Sequence, residues 1–189
     1  MKKLGSQLAL GILVTTLSIL ATLANYVGAD YGGKGDSHTA KARQHLADAN
    51  REEGLAMQLV ILDASMFDNM RVYDGKDDEL FEYFYSNLSP FLLESIERND
   101  PFDDQYYAEM YALADEYSAN AKEEFALADA QYARQGGLRI ITLISAMGLS
   151  FAAYASLLDE ENRLRAIFAA FAAVALILVV FQFVSVFIF

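Results

Sequence analysis

The sequence predicts an all-α integral membrane protein: three transmembrane helices and an extramembrane antiparallel hairpin of long helices, closed by a short-helix tip. Three observations carry this prediction. First, the 189 residues are 54% hydrophobic, yet 26 acidic against 14 basic residues leave a net charge of −12, with no cysteine, no tryptophan and two prolines. Second, the two compositions occupy different stretches. Residues 1–29 carry only Lys2 and Lys3, residues 138–189 hold three acids and three bases, and residues 30–136 hold 23 acids against nine bases. Third, apolar residues between the uncharged stretches recur at steps of three and four, the helical period. This pattern argues against a disordered chain, collagen, a disulfide-stapled mini-protein and a nucleic-acid binder.

Residues 1–29 are expected to form the first span. From Leu4 to Ala29 the chain is uncharged and long enough to cross a hydrocarbon core of roughly 30 Å. Lys2-Lys3, the apolar run and the small residues Val27 and Ala29 also fit a cleaved signal peptide, but the run exceeds the usual length of such a segment.

Residues 30–137 are expected to form an acidic helical stalk. Gly32 and Gly33 after the first span, and Gly136 and Gly137 before the second, break helix continuity or permit a bend, so both roots are expected hinges. Asp36 and Ser37 offer N-caps for a helix running to Tyr73. Its stripe of Leu55, Leu59, Leu62, Met66, Met70 and Tyr73 is expected to face a partner helix. A strict heptad through this helix places Glu53 and Asp63 on core positions.

Asp74-Gly75 signals a turn into an aromatic tip, about 74–100, with one short helical stripe through Leu88 and a second helix capped by Ser89-Pro90. Asp100 as N-cap and Pro101 as first helical residue are expected to open the return helix. Its stripe is Met110, Leu113, Tyr117, Ala121, Phe125, Ala128 and Tyr132. Two helices of equal reach anchored by spans at both ends must run antiparallel.

Residues 138–158 form the second expected span, 159–165 a polar loop and 166–189 the third span. Alternating Phe181, Phe183, Phe187 and Phe189 resemble a closing barrel strand, but nothing else in the chain alternates. Ser18, Thr22, Asn25, Gly148 and Ala152 are small or polar residues expected to pack span against span. Lys2, Lys3, Arg163 and Arg165 share one side of a three-span arrangement. The bias of bases toward the cytoplasm places the chain in the cell (inner or plasma) membrane with a cytoplasmic N-terminus and residues 30–137 outside.

No catalytic, cofactor-binding or metal-ligating residue is expected. There is no cysteine nucleophile, and His38 and His45 lie seven residues apart, about 10 Å along a helix. Neighbouring carboxylates such as Glu52-Glu53 and Glu123-Glu124 diverge by about 100° on a helix. Gly32-Gly33-Lys34-Gly35 lacks phosphate-loop spacing, and Asp74–Glu79 fails the spacing of an EF-hand loop, which leaves weak divalent-cation binding as its alternative to a solvated acidic face. The span interiors hold no ionisable side chain, which argues against a transporter.

The tip is the most informative stretch, with seven tyrosines and four phenylalanines between Tyr73 and Tyr117. Tyrosine suits a surface dry on one side and wet on the other, so the tip's rings are expected either to fill its own core or, at Tyr83, Tyr85, Phe91, Tyr106, Tyr107 and Tyr111, to dock a partner, and the two roles are compatible. The expected function is that of a non-enzymatic structural or accessory membrane protein. Its expected partners are the lipid bilayer and either copies of itself or other membrane-protein subunits, with no nucleic acid and no small-molecule substrate. The alternative is an extracytoplasmic sensor or signal-relay module acting through a partner, since two spans flanking an external helical bundle is also the plan of bacterial receptors. A third reading is an oligomeric pore lined by Thr15, Thr16, Ser18, Thr22 and Asn25.

Overall fold

The computed structural model describes residues 6–188, with side chains described through Val186, so Lys2, Lys3 and Phe189 lie outside the described residues. Its order is α1 (Gln7–Tyr73), α2 (Asp78–Ser86), α3 (Pro90–Glu97), α4 (Asp104–Leu157) and α5 (Arg163–Ile188), with no strand among the described residues. Helices α1, α4 and α5 are each long and apolar enough to cross a membrane. Phe181 and Phe183 belong to α5, so their alternation is not that of a strand.

Both prolines sit where a helix tolerates them. Pro90 opens α3 behind the N-cap Ser89, whose hydroxyl accepts from Leu92 N–H at 3.2 Å, and Pro101 lies in the turn before α4. Gly75, at φ 66°, ends the passage out of α1.

Two expected boundaries are corrected. Helix α4 begins at Asp104 with Asp103, not Asp100, accepting from the Tyr106 N–H at 2.7 Å. The reason lies at Phe102, which takes a left-handed φ of 65° and sets its ring edge-on to Phe67 and Tyr106, at 5.5 Å and 5.2 Å between centroids.

The second correction concerns the glycines. Helix α1 runs through Gly32 and Gly33 and α4 through Gly136 and Gly137 without interruption. Asp36 does not open a helix; it accepts from the Tyr132 hydroxyl at 2.7 Å. A Cβ on Gly32 would strike the Gln135 amide, one on Gly35 would stand 2.7 Å from the Tyr132 ring, and one on Gly137 would stand 2.7 Å from Val186. These glycines make room for side chains of a neighbouring helix. Gly33 and Gly136 face open space.

The chain forms two compact units, one from the described residues up to His38 together with Ala126 onward, the other from Thr39–Phe125. In the first, α1, α4 and α5 share two apolar clusters. Leu10 and Leu13 meet Ala152, Ala155, Ala169 and Ala172, while Leu17 and Ala24 meet Leu138, Ile141 and Val179. Gly148 sits between helices: a Cβ there would lie 2.9 Å from both Ala175 and Leu17. Ala152 is likewise buried, so these two small residues pack the apolar helices together. Ser18 is half-buried, but Thr22 and Asn25 are exposed, contrary to the expected packing role. The Thr22 hydroxyl donates to the Ser18 carbonyl of its own helix at 2.8 Å, which satisfies it without a neighbouring helix. Arg165 is buried and donates to the Leu158 carbonyl at 2.7 Å, closing the C-terminus of α4.

In the second unit the seam keeps Met70, Met110 and Ala121 of the expected stripes but not their leucines. Ala42, Ala49, Ala56, Asp63 and Met70 are buried at intervals of seven along α1, and Met110, Ala114 and Ala121 are buried on α4. Contacts descend α4 as they climb α1: His45 stacks on Tyr117 at 6.1 Å, and Asp63 meets Tyr106 at 2.9 Å. Leu55, Leu59 and Leu62, expected inside, are exposed, as are Leu113 and Phe125. A spacing of seven keeps one row aligned along a pair of helices, and a row of alanines admits a close neighbour where leucines would hold it away. The α1 leucines lie beside that row and stay outside.

Candidate functional site

The polar centre of the second unit is Asp63. Its side chain is 3% exposed, and among the described residues it is held by hydrogen bonds rather than by a cation. Ser89 donates its backbone N–H to Oδ1 at 2.8 Å and its hydroxyl to Oδ2 at 2.5 Å, and Tyr106 donates its phenol to Oδ2 at 2.9 Å. One carboxylate on α1 therefore holds the N-cap of α3 and the first turn of α4. Each bond to a charged acceptor is stronger than a neutral one, which is why a buried carboxylate is tolerated here.

The chain around this anchor is equally satisfied. Buried Ser95 donates to the Leu92 carbonyl at 3.0 Å and accepts from Phe102 N–H at 3.2 Å, fixing the turn that carries Phe102. Arg98 grips Asp103 with both arms of its fork, at 2.6 Å and 2.9 Å, and this guanidinium holds the Asp103 carboxyl below the usual carboxylate range. Burial first, and then the hydrogen bond to Asp63, push the Tyr106 phenol well above its ordinary value.

The structure divides the six aromatic residues expected to dock a partner. Tyr106 is 0% exposed and belongs to the core, bonded to Asp63, which fits the reading that the rings fill the core and removes it from the docking set. Tyr111 is half-buried against the same cluster. Tyr83, Tyr85, Phe91 and Tyr107 remain exposed, Tyr107 resting edge-on against Tyr106 at 5.1 Å.

A second surface was not anticipated. From Gly54 to Leu62 helix α1 carries no charge, and within it Leu55 is 48% exposed, Ile61 64% and Leu62 46%, with Met57 and Leu59 exposed beside them. These exposed apolar side chains stand on a segment whose unit, residues 39–125, holds 20 acids against seven bases. The sequence carried the signal: Ala42, Ala49 and Ala56 at intervals of seven compete with the leucine stripe for the inside of the seam.

His38 and His45 stand on α1, His45 against Tyr117. Among the described residues no group of three or more His, Cys, Asp or Glu side chains gathers in a metal-binding arrangement. Compared with protein-family models, with curated proteins and with solved structures, the chain matches none.

Proposed function

We propose that the chain is a non-enzymatic structural or accessory membrane protein that works by assembly, through a hairpin held outside the bilayer, as a homo-oligomer or as one subunit of a larger membrane complex. The observation that carries this reading is the charge-free segment Gly54–Leu62 of α1, where Leu55, Leu59 and Leu62 are exposed on one side of the helix and Met57 and Ile61 on another. A helix that is apolar on so many sides is stable in water when another surface covers it. The exposed rings of Tyr83, Tyr85, Phe91 and Tyr107 add a second contact of the amphipathic kind that interfaces favour. In this reading α1, α4 and α5 each cross the inner or plasma membrane, and α1 and α4 continue outside it as the antiparallel pair closed by α2 and α3.

The test is the mass of the particle extracted in mild detergent. Wild type is expected as an oligomer or with a co-purifying chain, and Leu55→Lys with Leu62→Lys is expected to release the monomer with helix content unchanged. A monomeric wild type with no neighbour in native-membrane crosslinking removes the proposal.

A further inference from the structure

Bases are scarce in this protein, so their position carries information. Within the first unit, Lys34, Arg134 and Arg139 stand where the uncharged stretches of α1 and α4 end. Lys34 pairs with Asp30 at 2.7 Å, and both Lys34 and Arg134 lie 5.6 Å from the centroid of the Tyr31 ring. Arg139 differs from these two, for among the described residues no carboxylate pairs with it and no ring takes its charge.

Arg139 lines a cleft of about 250 Å³ between α1 and α4. Ala24, Gly28 and Ala29 form one side of it, and Asn25, Gln135 and Thr142 bring further polar groups. Gly32 contributes by omission: because it lacks a Cβ, the Gln135 amide can lie against α1. The cleft thus combines the unneutralised Arg139 and two amide side chains with a small-residue wall, while the Thr142 hydroxyl donates to the Leu138 carbonyl of its own helix at 3.2 Å. A planar fork of N–H donors matches the oxygens of a phosphate, and amide N–H groups complete such a shell. Arg139 is exposed, so its charge is accessible to a ligand, and among the described residues no acidic side chain neutralises it.

We propose that this cleft binds a phosphate oxyanion, and that the anion is the headgroup of an anionic phospholipid. The lipid source follows from position. The cleft lies at the rim of the uncharged stretches of α1 and α4, the depth at which headgroups sit, and Ala24, Gly28 and Ala29 beside it are small and apolar. The inference rests on the reading of α1 and α4 as spans and adds a lipid to the protein partners proposed above.

The experiment uses the full chain purified in non-ionic detergent, with native mass spectrometry reading retained phosphatidylglycerol against phosphatidylcholine. Wild type is expected to retain the anionic lipid preferentially, and Arg139→Gln to lower that retention about tenfold, the scale of a charged hydrogen-bonded contact. Arg139→Lys is expected to restore part of it. Ala29→Phe, which fills the cleft and leaves the guanidinium in place, is expected to lower retention as Arg139→Gln does. Arg163→Gln, at the other end of the unit's helices, is expected to change nothing. Circular dichroism and the thermal midpoint establish that each variant is folded.

Equal retention of the two lipids, full retention by Arg139→Gln or Ala29→Phe, or an equal loss in Arg163→Gln overturns the proposal. Displacement of the lipid by millimolar inorganic phosphate assigns the site to the free ion and overturns the lipid source. Release of the protein from vesicles by alkaline washing overturns the span reading instead, so the two failures are distinguishable.

Discussion

Asp63 concentrates more of the second unit's specificity than any other side chain. Removing its carboxylate leaves the buried Tyr106 phenol and the half-buried Ser89 N–H with no acceptor, and each orphaned group costs about 1–3 kcal/mol. Asp63→Ala is therefore expected to lower unfolding stability by about 3 kcal/mol, and Tyr106→Phe, which leaves Asp63 two donors from Ser89, by about 1 kcal/mol. Chemical denaturation of the full chain in detergent measures both. The same bond predicts an alkaline limit. The folded phenol keeps its proton above the usual value, whereas the unfolded chain releases it near pH 10. Its stabilisation is intact below about pH 10 and is lost as pH rises beyond, a dependence that Tyr106→Phe is expected to abolish. Asp103 acts in the opposite direction. Its folded carboxyl is held below the usual carboxylate range, so its contribution is present above that range and disappears as pH falls through it, and Arg98→Gln is expected to diminish that acid-dependent loss. Sequence spacing showed that Asp63 lands on a core position; it did not show that Ser89 and Tyr106 meet it there, because those partners lie 26 and 43 residues away.

Among the elements, the test lies in small residues. Ala56→Leu inserts a side chain into the row of alanines and is expected to cost about 1–3 kcal/mol by overpacking, whereas Leu55→Ala, one residue away, is expected to leave monomer stability nearly unchanged and to weaken association. The reverse pattern holds the leucine stripe inside and refutes the observed seam. The glycines divide in the same manner. Gly33→Ala and Gly136→Ala meet open space in a helix interior and are expected to raise stability by about 0.5–1 kcal/mol each. Gly148→Ala meets Ala175 and Leu17 and is expected to lower it. Thermal midpoints followed by circular dichroism separate the two sets. Helix existence, the Gly75 turn and the Ser89-Pro90 start of α3 were legible because each depends on residues within one turn of one another. The start of α4 was misplaced by three residues because the ring of Phe102, docked on Phe67 and Tyr106, set the backbone before it.

For the whole molecule, three helices long and apolar enough to span a membrane fit a membrane protein, and vesicle association resistant to salt and alkaline washing is the expected behaviour. The acidic excess between the uncharged runs, 23 acids against nine bases over residues 30–136, adds long-range repulsion to any assembly of copies. If the apolar face drives association between copies, oligomer mass in detergent is expected to rise with salt, which screens the acids and leaves the apolar contact intact. A basic partner gives the opposite dependence, because salt then weakens the attraction. The salt response of the particle mass thus distinguishes self-assembly from recruitment into a complex of basic subunits.

What the sequence determined alone is the helical class and the division between lipid-compatible and water-compatible stretches. Both depend on composition and local geometry, which are complete within a window of some twenty residues. What only the tertiary structure decided is which face of each helix is inside. Alanines rather than leucines form the seam, glycines seat neighbouring side chains rather than bend the chain, and one tyrosine leaves the surface to bind a buried carboxylate. The physical reason is that a helix carries several candidate apolar rows at once, and the choice among them is fixed by how closely a second helix can approach, a distance to which residues far apart in the chain contribute together.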